Sequence, residues 1–269
     1  MKKLLGLFLS LAMIVTSLPL VSVHAEIDES TILNPDAAAV DSEGYPTGVY
    51  LKAFSSDIVN SSTGEDGRAQ NVLDKNGATY WHSNYQTHNG TEHSLTFDLN
   101  GYADLSAVSF ILRQSEQEYN GDILAAKLLV GTDLNNLHEA GTYTYETVNV
   151  TNIWGFTQDT IVDRDQYQPM EIANVEEVRY VKFVVVSSSG DSGNDQYASC
   201  GDINFYGSNF HVKKAALETA ITDGSSFNSD DYTTASFEVL SNALNKGNTV
   251  LNDANAKQVK VDATTDAIN

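Results

Sequence analysis

The 269-residue chain holds a single cysteine, Cys200, so an internal disulfide framework and a four-cysteine zinc site are both excluded. Proline is scarce, at 4 residues, and glycine stands at 18, which excludes proline-rich and collagen-like polymers. Basic residues are also few: 15 Lys and Arg face 36 Asp and Glu, a formal net charge of -21. A surface this acidic repels phosphate backbones and anionic headgroups, so neither nucleic acid nor membrane lipid is expected as a partner. The sequence has no GxSxG elbow, no HExxH zinc helix and no phosphate-cradling glycine loop. Among 36 acids some pair always falls at glycosidase spacing, so their number carries no argument for catalysis.

What is present is core-forming material. The chain is 41% hydrophobic, with 13 Tyr, 10 Phe and 2 Trp, which suits packed domains rather than disorder. Met1-Lys2-Lys3, an apolar run over residues 4–20 and the small-residue end Val23-His24-Ala25 match a cleavable secretory signal peptide over 1–25. Residues 26–44 are polar and read as a linker or a first edge segment.

From 45 to 208 the periodicity is that of strands. Leu95, Phe97 and Leu99 alternate with Ser94, Thr96 and Asp98, and Val108, Phe110 and Leu112 repeat the pattern. Residues 123–130, 178–186 and 202–206 add further candidates, the second of them β-branched or aromatic over most of its length. About eight strands are expected, forming an antiparallel sandwich or jelly roll. After Phe210 the spacing turns helical. Helices are expected from Val212, from Ser229-Asp230-Asp231 and from near Ala254, giving a small bundle over 210–269.

The segment Asn71-Val-Leu-Asp74-Lys75-Asn76-Gly-Ala-Thr79-Tyr80-Trp81-His82-Ser83 concentrates oxygen donors on a tight loop. Such donors at short intervals can converge on a hard cation such as calcium, although polar loops of this kind are commonly only turns. Trp154 lies in the irregular stretch 151–156, where an exposed platform and a core anchor are equally open readings.

This segment resembles the "NAxDGxxxTxWHT" signature of bacterial coagulation-factor type C (discoidin) domains, in particular carbohydrate-binding module family 32. The resemblance continues in order through Ser94–Leu99, Val108–Gln114, Tyr119-Asn120-Gly121 and Cys200-Gly201-Asp202-Ile-Asn-Phe-Tyr206. It implies an eight-stranded antiparallel jelly-roll β-sandwich over 45–208. It also implies a structural calcium ion held by Asp74, Asn76 and Thr79, by the carbonyl of Asn71 and by Gly201-Asp202. Lys75 departs from the family's usual Gly, and Asp202 from its usual Glu. On this reading the ion pins a loop to the final strand, and chelation should lower the melting temperature.

The resemblance further implies a sugar site at the loop end of the sandwich. Arg113 and Asn120 match its hydroxyl-binding pair, and His82 matches a histidine that favours an axial hydroxyl. Glu65 would accept a further hydrogen bond, and Tyr197 would be the stacking platform. Arg113→Ala should abolish retention on a galactoside matrix while leaving the melting temperature nearly unchanged. The tail from 210 to 269 resembles part of the FIVAR helical module of Gram-positive surface and secreted glycan-active proteins. The expectation is a secreted or surface-attached, non-catalytic module for terminal galactose or N-acetylgalactosamine, targeting a larger glycosidase or surface protein. The alternative is a protein-binding adhesin domain.

Overall fold

The computed structural model describes residues 27–86, 92–114, 119–189 and 197–269. The expected signal peptide lies outside the described residues. Twelve strands are formed among them: β1 (Tyr50–Phe54), β2 (Ile58–Asn60), β3 (Glu65–Gly67), β4 (Trp81–His82), β5 (His93–Ile111), β6 (Ile123–Gly131), β7 (His138–Thr144), β8 (Thr147–Thr151), β9 (Thr157–Ile161), β10 (Gln168–Ser188), β11 (Ser199–Cys200) and β12 (Asp202–His211). Three helices follow, α1 (Ala215–Ser225), α2 (Thr234–Asn252) and α3 (Gln258–Ile268).

The count of eight separate strands is not what forms. The main sheet has six strands in the order β1-β5-β10-β6-β7, with β12 added along β5. Stretches that alternate independently in the sequence, around Phe97 and around Phe110, are two halves of one 19-residue strand, β5. Asn100 takes a left-handed backbone (φ 61°) at its bend, followed by Gly101. The strand turns there, and its pairing with β10 skips from Asp98 to Ala103, the local ladder disruption that a bulge brings. β10 bends in step, with register shifts between Glu171 and Tyr180. One half of β5 pairs β1 and the other pairs β12, so the folded-over sheet provides both layers.

Between the layers Phe97 meets Phe205 edge-on at 4.9 Å, and Phe110 meets Phe183 at 5.5 Å. Trp81, Leu95, Leu99, Leu105 and Ile203 are buried with them. Such rings dominate the burial term that holds a domain of this size.

The alternation at Ser94, Thr96 and Asp98 suggests an open outer face, yet all three are buried. At Asp98 the cover is the helical tail. Arg179 bonds both oxygens of Asp98, at 3.0–3.2 Å, and reaches Asp262 of α3 at 2.8 Å. Val259 N donates to Asn100 Oδ1 at 3.0 Å. The helices begin later than the pattern suggests. Residues 229–231 form a short 3-10 turn, and Thr233 caps α2 by accepting from Ser236 N. Of the two readings of 26–44, the edge segment describes what is seen: Leu33 N donates to Phe205 O, and buried Asn34 bonds Ile203 O and Phe205 N.

Candidate binding site at the loop end

The short β4–β11 pairing builds the site. It sets His82 opposite Ser199 and Trp81 opposite Cys200. Trp81 is a fully buried anchor whose Nε1 donates to Ser56 O at 2.8 Å. Ser83 N then donates to Ala198 O at 2.8 Å, and Ala198 N to Ser83 Oγ at 2.9 Å. These bonds bring Tyr197 beside His82, with ring centroids 6.0 Å apart. Tyr85 completes a three-ring cluster, 5.3 Å from His82 and 6.1 Å from Tyr197. Its hydroxyl donates to Glu65 Oε2 at 2.9 Å, so Glu65 is engaged by a residue that the sequence reading did not single out.

His82 is 3% exposed. Its Nδ1 lies 2.7 Å from the carbonyl of Ser83, which can only accept, so Nδ1 carries the hydrogen and Nε2 is left as an acceptor. Burial pulls the imidazole down from 6.5 to about 4, against the pull of that carbonyl. Since the unfolded chain takes up this proton near 6.5 and the fold only near 4, stability is complete above 6.5 and falls as pH drops towards 4. The loss is expected to be about 3 kcal/mol. Urea denaturation across that window should show the slope in the wild type and a flatter one in His82→Gln.

Arg113 is 5% exposed and lies 4.8 Å over the ring of Tyr80. It is not the open rim residue that the sequence reading described. Its carbonyl accepts from Arg164 Nη2 at 2.7 Å. Arg164 also bonds the wholly buried carboxylate of Asp122, at 3.1 and 3.2 Å, and Thr160 donates to the same group at 2.5 Å. Asp122 follows Asn120-Gly121, so this network ties the two segments carrying Arg113 and Asn120. Gly121 has φ 80°, and a Cβ there would meet Ser199 N at 3.0 Å. Only glycine fits so close an approach.

Asn120 and Tyr197 line a cleft of about 770 Å³. Its other wall is the β8–β9 hairpin, through Asn149, Asn152, Gln158, Trp154 and Phe156. Asn152 Oδ1 accepts from the backbones of Trp154 and Phe156, both at 3.0 Å, which shapes the tip. Trp154 is 52% and Phe156 67% exposed, which settles the open reading of Trp154 in favour of an exposed ring. Asn120 and Tyr197 thus share a cleft, and His82, Tyr197 and Glu65 join one cluster through Tyr85. Arg113 is buried against the ring of Tyr80.

In the loop expected to hold calcium, the side-chain donors bond one another. Thr79 Oγ1 donates to Asp74 Oδ2 at 2.7 Å, and Asn76 N to Asp74 Oδ1 at 2.9 Å. Asn71 turns its amide to the carbonyls of Asp66 and Tyr80. Gly201 N donates to Ile111 O, and Asp202 Oδ2 accepts from Tyr167 at 3.1 Å and lies 4.0 Å from Lys75 Nζ. The Lys75 ammonium thus faces Asp202, one of the expected donors, from the loop that carries the others. Among the described residues no three His, Cys, Asp or Glu side chains are grouped to hold a metal.

A mainly β domain with a ring-lined, amide-rich cleft at its loop end has the make-up of a binding module. The F5/8 type C domain matches residues 54–203, more than half of the chain, and the chain belongs to that family. Among solved structures, it is similar to CBM32-3 from a family 31 glycoside hydrolase of Clostridium perfringens. That match has 25% identity over 60% of this chain and 92% of the other, with a TM-score of 0.49. The family 32 module of C. perfringens NanJ, in complex with galactose, has 16% identity over 59% and 98%, with a TM-score of 0.41. CBM32-5 from the same organism, in complex with GalNAc-β-1,3-galactose, has 19% identity over 59% and 94%, with a TM-score of 0.45. A search of curated proteins finds no match. No helix among the described residues is long and apolar enough to cross a membrane.

Proposed function

We propose that this chain is a secreted, non-catalytic carbohydrate-binding module for galactose- or N-acetylgalactosamine-type termini, serving a larger glycosidase or surface protein of a Gram-positive bacterium. The observation that carries the reading is the cluster of His82, Tyr85 and Tyr197 beside the cleft. A pyranose offers a C–H face that suits a ring and hydroxyls that suit fixed donors and acceptors. Tyr197 supplies the ring, Asn120 the amide, and neutral His82 an acceptor at Nε2. The helical tail, read as a FIVAR-like unit, is the spacer to further modules. One shallow site binds weakly, and tandem copies raise retention through effective concentration.

Affinity electrophoresis on galactoside and glucoside matrices tests this. The wild type should be retarded on the galactoside only, and Tyr197→Ala should weaken retention roughly tenfold or more. Equal mobility on both matrices sinks the reading. The exposed tip Ile153-Trp154-Gly155-Phe156 favours a second reading, a protein-binding adhesin surface. If Trp154→Ala loses glycan retention, the hairpin belongs to the sugar site. Unchanged retention leaves the tip to a protein partner.

A further inference from the structure

Lys75 has a left-handed backbone, φ 59°, a conformation that costs a side-chain-bearing residue and is natural to glycine. Strain of this kind persists where the surroundings hold it in place. What holds Lys75 is its own head. The side chain is only 21% exposed, its ammonium donates to Asn204 Oδ1, and it lies 4.0 Å from Asp202 Oδ2. Both partners are on β12, while Lys75 is on the loop that Asp74, Asn76 and Thr79 close on themselves. Burial brings the Lys75 ammonium below the ordinary lysine value, and Asp202, Glu29, Asp36 and Asp74 oppose that shift and favour its charge. The loop is thereby joined to the final strand through a positive centre facing acidic groups.

We infer that the ammonium of Lys75 takes the place of a structural divalent cation, locking the 74–79 loop to β12 without a metal. A calcium ion brought among the same oxygens would meet the fixed charge of Lys75 at close range, where like charges in a partly buried site repel strongly. To admit it, Lys75 would have to leave Asn204 and Asp202. Asp202, one methylene shorter than Glu, fits the arrangement, since the long lysine stem supplies the reach instead. This inference is independent of the sugar reading and stands or falls on stability alone.

Thermal unfolding of the whole chain in calcium chloride and in chelator tests it. The wild type should melt at the same temperature in both, within about 1 °C, because a ligand that does not bind the fold shifts nothing. Lys75→Met keeps the stem and loses the charge, and should melt roughly 3–8 °C lower in either buffer. Lys75→Gly relieves the backbone and vacates the ammonium position, so its melting temperature should rise on adding calcium. Three results would each overturn the inference: a calcium-dependent rise in the wild type, a Lys75→Met variant as stable as the wild type, or a Lys75→Gly variant indifferent to calcium.

Discussion

Replacing Arg164 with Met is expected to destabilise the domain by about 3–5 kcal/mol, the range for removing one partner of a buried ion pair. Asp122 is fully buried, and burial alone pushes its carboxyl up, with Arg164 the chief opposing influence. Without the guanidinium the carboxylate keeps the Thr160 hydroxyl and the more distant charge of Arg113. It can escape by taking up a proton. The folded variant would then bind that proton more readily than the unfolded chain, so its stability should improve as pH falls from 7 towards the ordinary Asp range, narrowing the gap to the wild type. Asp122→Asn combined with Arg164→Met should recover much of the loss, because no uncompensated charge remains. Urea denaturation of the two variants at neutral pH checks this, and a single-variant loss under about 1 kcal/mol would show that the pair does not hold this end of the domain together. Binding should weaken as well, since Arg164 also holds the Arg113 carbonyl.

Arg113→Ala is expected to act on two quantities at once. Glycan retention should fall at least tenfold on the loss of a charged donor fork. The melting temperature should fall too, by roughly 3–8 °C, since Arg113 packs under Tyr80 with 5% of its surface exposed. An exposed rim residue would lose retention alone. Arg113→Lys separates the effects: it keeps the charge and most of the packing but not the planar fork. Retention lost with the melt nearly kept would mark the fork as the recognition element. Retention kept by both variants would remove Arg113 from the sugar site.

Much of the frame was legible in residue order. Alternation at Leu95–Phe97–Leu99 and Val108–Phe110–Leu112 located core faces, and the helical spacing after Phe210 located the tail. The Trp81–His82 pair pointed to the β4 edge on which the candidate site is built. Arg164 was not legible, because a lone arginine in a polar loop has no pattern, and its partner Asp122 lies 42 residues away. Tyr85 was missed for a similar reason: its meaning comes from Glu65 and Tyr197, which arrive from two other segments to meet it and its near neighbour His82.

Composition, period and motif order by themselves determined the β-then-α organisation, the family resemblance and the set of residues to inspect, since these depend on neighbours one to a dozen positions apart. Only the tertiary structure decided that two apparent strands are one bent strand, that Arg113 is buried and Trp154 open, and that Lys75 reaches across to β12. Those outcomes depend on contacts between segments far apart in the chain, where a side chain's role is set by which distant group it faces and how much water remains between them.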